Sequence, residues 1–224
     1  MILHLVTDLR RLAPGAAPAD AVAALLAQVG HAVAAGVDAL QIREPHLEAR
    51  ELTALARAVV AATRRTRTRV LVNERLDVAL AAGADGVHLR GSSLDAARVR
   101  AAVRPGFLLG RSVHSPQDAA EAGPVDYLIA GTIWPTSSKP DGHALLGPEG
   151  LAEVAASSSV PVLAIGGVTL ERVAAVAAAR AAGIAAIGAW MGTETNARVV
   201  PLAPVVAAFR EAFDTGNMPT RTSE

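Results

Sequence analysis

Short runs rich in β-branched residues alternate along the chain with longer alanine-rich stretches whose apolar positions recur at helical spacing. That alternation is the pattern of βα units feeding a parallel sheet. Strands are predicted at 2–7, 39–43, 69–73, 86–89, 107–111, 127–130, 162–165 and 186–189. Helices are predicted between and after them at 19–35, 49–64, 75–82, 94–103, 116–122, 148–157, 170–182 and 201–213. Eight such units close a (β/α)8 TIM barrel, an α/β fold with eight parallel strands. One domain is expected over residues 1–213, with a frayed polar tail at 214–224.

Three glycines sit where a helix hands over to a strand: Gly36, Gly83 and Gly183. They read as left-handed C-caps leading into short αβ loops, which is scaffold rather than chemistry. The segment 131–147 is different, a long βα loop of Thr, Ser, Pro and Gly around Lys139, the only lysine of the chain. Long loops in compact domains usually cover or bind something.

Composition narrows the partners. The 21 basic and 21 acidic side chains cancel, and aromatics are 3% of the chain, so neither an electrostatic footprint nor a stacking platform for nucleic acid is present. Cysteine is absent, which excludes disulfides, thiolate metal sites and a cysteine nucleophile. No apolar run reaches the roughly 18 residues of a membrane span before Gly, Pro, Asp or Arg interrupts it. The apolar patch at residues 1–8 is followed, not preceded, by Arg10 and Arg11, unlike a secretory leader. A cytoplasmic protein with a small-molecule ligand is expected, and a homo-oligomer is left open.

In a (β/α)8 barrel the reactive groups lie at the C-terminal ends of the strands. Gln41 and Arg43, two apart on one strand, share a face and project into the barrel mouth, while Ile42 packs outward. Arg43 and Glu44 equally suit an ordinary strand-end ion pair. Asn73, Ser112, His114 and Thr132 also end or follow strands. Gly166-Gly167, after the seventh strand, offers backbone N–H groups where barrels commonly hold phosphate. His4, His31, His46, His88 and His143 show no metal spacing and take the bland reading, His88 less firmly because it ends a strand.

Read in order, these strings resemble a known family: Leu3-His4-Leu5-Val6-Thr7-Asp8, Gln41-Ile42-Arg43-Glu44, Asn73-Glu74-Arg75, Gly86-Val87-His88-Leu89, Gly110-Arg111-Ser112-Val113-His114, Asp126-Tyr127 with the segment from Gly131 to Lys139, and Ala164-Ile165-Gly166-Gly167-Val168. The resemblance is to the thiamine phosphate synthase and thiazole tautomerase superfamily and covers nearly the whole chain. It implies a site in which Gln41, Arg43, Asn73, Ser112, Thr132, Thr136, Ser138 and Lys139 bind substrate and Gly166, Gly167 and Met191 bind its phosphate.

The superfamily's two activities differ in their metal. The synthase couples a pyrimidine diphosphate to a thiazole phosphate and holds the diphosphate with Mg²⁺ on two aspartates. Here those places carry Glu74 and Ser93, and Pro45 stands where the synthase has a lysine. A hydroxyl in place of a carboxylate removes charge from a site whose ion demands near-octahedral oxygen ligands. The phrase Gly110 to Ser115 is closer to the tautomerase, whose histidine there implies His114 as the acid/base, with Glu44 as the carboxylate able to share its work. The expectation is therefore a metal-independent thiazole tautomerase, an isomerase that aromatises a carboxylated thiazole phosphate by proton transfer and needs no cofactor. Thiamine phosphate synthase, with Mg²⁺, is the alternative. A non-catalytic regulator that binds thiazole phosphate is the third reading.

Overall fold

The structure is a computed structural model that describes residues 1–136, 144–191 and 201–216. Its strands are β1 (Ile2–Val6), β2 (Ala39–Ile42), β3 (Arg69–Asn73), β4 (Gly86–Leu89), β5 (Leu108–Val113), β6 (Tyr127–Gly131), β7 (Val162–Ile165) and β8 (Gly183–Ala186). All pair in parallel with their sequence neighbours, and β8 pairs back onto β1 to close the barrel. Among the described residues the helices are α1 (Leu9–Leu12), α2 (Pro18–Ala35), α3 (Ala49–Ala62), α4 (Leu76–Ala82), α5 (Ala96–Ala102), α6 (Pro116–Ala120), α7 (Gly147–Ala156), α8 (Val173–Ala178) and α9 (Ala203–Gly216). The barrel expected from periodicity is the fold observed.

The main core lies between sheet and helices. Leu3, Leu5, Leu40, Ile42, Val70 and Val72 face outward from the strands and bury against Leu25, Val29, Leu55 and Val59 of α2 and α3. A smaller cluster, Val6, Ile129, Leu163 and Ala185, fills part of the barrel interior. The interior is also polar, since His4, Gln41 and His88 are each 3% exposed or less. Alternation along β2 therefore sends Gln41 inward and its apolar neighbours outward, as the pattern requires.

α2 is long and apolar enough to cross a membrane by length and composition alone, which the reading of the apolar runs did not anticipate. Only one narrow face of it, 22% of the helix, is buried against the rest of the protein. Leu25, Val29 and Ala32 are fully buried on the barrel, and Gln28 donates from Nε2 to the Trp190 carbonyl at 2.9 Å.

Gly36 and Gly83 cap their helices at φ 78° and 69°, as expected. Gly183 does not. The helix predicted over 170–182 is a 3₁₀ turn at Leu170–Arg172 followed by the short α8, and Arg180 takes the left-handed turn at φ 58°. Gly183 instead opens β8, where a Cβ would lie 2.0 Å from the Ile2 carbonyl oxygen, so close strand approach requires glycine. The eighth strand accordingly runs earlier than the predicted 186–189. At the C-terminus α9 continues to Gly216, so residues 214–216 are helical rather than frayed, and the rest of the predicted tail lies outside the described residues.

Candidate active site

The C-terminal ends of the strands surround one cavity of about 1780 Å³. Its wall includes Gln41, Arg43, Asn73, His88, Arg90, Ser112, His114, Thr132, Thr136, Gly166, Gly167 and Met191, so most of the residues expected at the site do converge.

On the β2–β4 flank, side chains carry the chemistry. Gln41 donates from Nε2 to Asn73 Oδ1 at 2.9 Å, which fixes both amides, while the buried Gln41 Oε1 has no partner among the described residues. Arg43 is exposed at the rim, its backbone N–H bonded to the Thr7 hydroxyl at 3.0 Å. Between the flanks stands β5. Ser112 Oγ lies 2.9 Å from His88 Nε2, and the other nitrogen of that imidazole is 3.1 Å from the Tyr127 hydroxyl. The His114 backbone N–H is held by Asp118 at 2.8 Å, and its Nδ1 donates to the Gly131 carbonyl. A carbonyl only accepts, so Nε2 is left as the acceptor.

The β6–β7 flank is built from backbone. Gly166 and Gly167 have φ of 97° and 62°. A Cβ on Gly166 would lie 2.5 Å from Thr132 Cγ2, and one on Gly167 2.5 Å from the Pro135 carbonyl oxygen. Arg172 donates to the Gly167 carbonyl at 2.6 Å and stacks 5.3 Å from the Trp134 ring centroid, which locks the turn. No hydrogen bond among the described residues takes the Gly167 or Val168 N–H.

Glu44 is a correction. Its carboxylate does not line the cavity; it is 1% exposed, accepts from the Thr7 hydroxyl at 2.5 Å and takes the Leu9 N–H at 3.0 Å. Burial pushes its carboxyl pKa up. It ties Thr7 and the start of α1 to the segment that follows β2, away from the cavity. Nor does it form an ion pair with Arg43; the basic side chain within 4 Å of its carboxylate is the His46 ring, at 3.9 Å. Ser138 and Lys139 lie outside the described residues.

Sequence reasoning reached Arg90 and Arg111 as strand-end residues but gave them no role at the wall, and it passed over Arg172. It also left His88 as a doubtful scaffold histidine. A signal was present: Gly110 is a glycine inside a strand, and such glycines mark close approach. Here the neighbour is Tyr127, whose Cζ would lie 2.1 Å from a Cβ on Gly110.

The magnesium pair of the synthase pattern was tested on the same grounds. Glu74 sits at φ 65°, gives Oε1 to the Arg90 N–H at 2.5 Å and holds Oε2 3.8 Å from the Arg90 guanidinium. Ser93 supplies no charge, and the next carboxylate, Asp95, is spent capping α5 through the Arg98 N–H at 2.9 Å. No group of three or more His, Asp or Glu suited to a metal occurs among the described residues. The residues present do not fit a two-carboxylate magnesium site.

Polar side chains and a glycine turn around the C-terminal mouth of a closed parallel barrel define a TIM barrel with an open cavity where such barrels carry their sites. The more particular assignment follows from comparison: residues 15–190 match the model of the TMP-TENI family, described as thiamine monophosphate synthase, and the chain belongs to that family. It is 40% identical over 189 residues to a thiamine-phosphate synthase of Azorhizobium caulinodans, covering 84% of this chain and 85% of that protein. It is 37% identical over 211 residues to one from Roseiflexus sp., covering 92% and 86%. Among solved structures, thiamine phosphate pyrophosphorylase from Pyrococcus furiosus superposes with a TM-score of 0.77 at 30% identity, covering 96% of each chain. A 3-hexulose-6-phosphate synthase, at 24% identity and TM-score 0.66, shares the fold.

These similarities correct the functional expectation. Curated relatives between 36% and 45% identical are named thiamine-phosphate synthase, a transferase, not a tautomerase or any isomerase. The departures at Glu74, Ser93 and Pro45 lie on one flank only, whereas the likeness spans the barrel.

Proposed function

We propose that this protein is a transferase that couples a pyrimidine diphosphate to a thiazole phosphate, giving thiamine phosphate. The observation that carries this reading is the two-flanked cavity. Gln41, Arg43, Asn73 and Arg90 line one side and Thr132, Gly166 and Gly167 the other, with Ser112 between them. A coupling must seat two substrates together, and holding them side by side turns a bimolecular step into one within the complex.

In this reading the Gly167 and Val168 N–H groups, which bond nothing among the described residues, cradle the thiazole phosphate, and Met191, expected among its ligands, only lines the wall, because its own N–H goes to the Gly188 carbonyl at 3.1 Å. Thr132, Thr136, Ser138 and Lys139 complete that side. Gln41, Arg43 and Asn73 hold the pyrimidine diphosphate. The thiazole nitrogen takes the carbon that bears the diphosphate, and the diphosphate leaves with the electron pair of the broken bond. His114 offers its Nε2 as an acceptor at the wall. The guanidinium groups of Arg43 and Arg90 balance the anionic oxygens. The balanced charge of the chain agrees with small-molecule ligands and a cytoplasmic setting.

The test is direct: incubate the protein with pyrimidine diphosphate and thiazole phosphate, with Mg²⁺ and with chelator, and follow thiamine phosphate. Product is expected. No product in either arm overturns the reading.

A further inference from the structure

A file of hydroxyl and imidazole groups crosses the barrel interior and ends at the cavity wall. Tyr127 opens β6 level with Gly110, and its ring occupies the space that glycine leaves free. Its hydroxyl meets His88 Nδ1 at 3.1 Å, the two rings lie 5.6 Å apart, and His88 Nε2 meets Ser112 Oγ at 2.9 Å. His88 is 2% exposed, whereas Ser112 is half-buried and lines the cavity.

We propose that Tyr127 and His88 are positioning residues that fix the polarity of the Ser112 hydroxyl. Tyr127 donates to Nδ1, the N–H on Nε2 donates to Ser112 Oγ, and Ser112 keeps its own hydrogen for an acceptor atom of the substrate. The role of that hydrogen in catalysis rests on the transferase reading; the order of the hydrogen bonds does not.

Two orders satisfy the geometry, and the donors decide between them. In the reverse order Ser112 donates to Nε2 and Nδ1–H donates to the phenol oxygen. The Tyr127 O–H then needs another acceptor, yet among the described residues its hydrogen-bond partner is His88 alone. The adjacent His4 ring, with its centroid 5.6 Å away, has an Nε2 that bonds no group among the described residues, Tyr127 included. A buried hydroxyl without an acceptor is penalised, so the forward order prevails. Charge does not disturb it. Burial pushes His88 down to about 3 and His4 down to about 4, and it pushes the Tyr127 phenol far above neutral. Both imidazoles are therefore neutral near neutral pH, with one proton each.

The experiment reads the tautomer itself. Imidazole ¹⁵N resonances of histidine-labelled protein should report His88 protonated on Nε2 and bare on Nδ1, unchanged from pH 5.5 to 8. Tyr127→Phe keeps the ring and removes the donor, so His88 should become a mixture of tautomers while kcat falls about tenfold, the worth of one neutral hydrogen bond. His88→Gln can accept from Tyr127 and donate to Ser112, so it should retain most of the activity that His88→Leu loses. An Nδ1–H tautomer in the unaltered protein overturns the proposal, whatever the coupling assay gives. So does a Tyr127→Phe variant that keeps both the tautomer and full kcat. The expected tautomer in a protein that forms no thiamine phosphate would instead uphold the order of bonds and remove the transferase reading.

Discussion

The two flanks of the cavity are built on different principles. On the β6–β7 side the groups at the cavity are mainly a backbone turn, held by two glycines at positive φ and by Arg172 on the Gly167 carbonyl, with the Thr132 and Thr136 side chains beside it. On the β2–β4 side they are side chains, Gln41 locked to Asn73 and Arg43 and Arg90 at the rim. A backbone site depends on conformation, so few substitutions are neutral there. A side-chain site can exchange its charges, and the departures at Glu74 and Ser93 fall on that side. Perturbing the two flanks should therefore have effects of unequal size.

The largest effect is expected at Gly167. Valine there meets both the left-handed φ and the Pro135 carbonyl oxygen. Gly167→Val should raise KM for thiazole phosphate about 100-fold, the usual penalty for misplacing a binding group by an ångström. KM for the pyrimidine diphosphate should change little; equal losses for both substrates would mean that the flanks are not separate.

Arg43→Ala is the matching change on the other flank. A charge-assisted hydrogen bond to a diphosphate oxygen is worth about 1.5–3 kcal/mol, so KM for the pyrimidine diphosphate should rise about 10- to 100-fold. Steady-state kinetics with the other substrate saturating checks this.

Metal dependence should move less. Because Glu74 is engaged by Arg90, chelation should slow the unaltered enzyme by less than about threefold, whereas Glu74→Asp with Ser93→Asp should confer Mg²⁺ stimulation of about fivefold. Strong inhibition of the unaltered enzyme by chelator would show that the flank holds magnesium despite Glu74.

The interior histidines predict a stability profile. His4 and His88 have folded pKa values near 4 and 3, below the ordinary 6.5. Between 6.5 and about 4 the unfolded chain binds protons that the native protein refuses, so stability falls as pH drops, at up to about 1.4 kcal/mol per pH unit per histidine. Glu44, raised by burial, acts in the opposite sense. The urea midpoint of His4→Gln measured against the unaltered protein over that range isolates one histidine; identical slopes would contradict its burial as a neutral ring.

Legibility followed the range of the interactions. Seven strands lie where period and turn chemistry place them, because those signals are local. The eighth moved because Gly183 fits a C-cap phrase as well as a close strand contact, and only the Ile2 carbonyl across the barrel seam distinguishes the two. Gln41, Asn73, Ser112, Thr132 and the glycine turn were readable as strand ends. The file from Tyr127 through His88 to Ser112 joins three strands, and its cross-strand register is not written in any one of them.

Glu44 carries the smallest predicted effect on chemistry. It follows Arg43 at a strand end, which made it a plausible partner in proton transfer, but its carboxylate turns away from the cavity to Thr7 and Leu9. Glutamine preserves the shape and one accepting oxygen. Its amide nitrogen, however, would place a second donor against the Leu9 N–H, where Oε2 now accepts at 3.0 Å. One lost buried hydrogen bond costs about 1 kcal/mol, which for a chain of this size lowers Tm by about 2–4 °C. Turnover should stay within about twofold, since Thr7 can still receive the Arg43 N–H and hold the rim in place. A Glu44→Gln enzyme with unchanged Tm and a kcat reduced about 100-fold would reverse this assignment, because a buried tie has no reason to spare stability while abolishing chemistry.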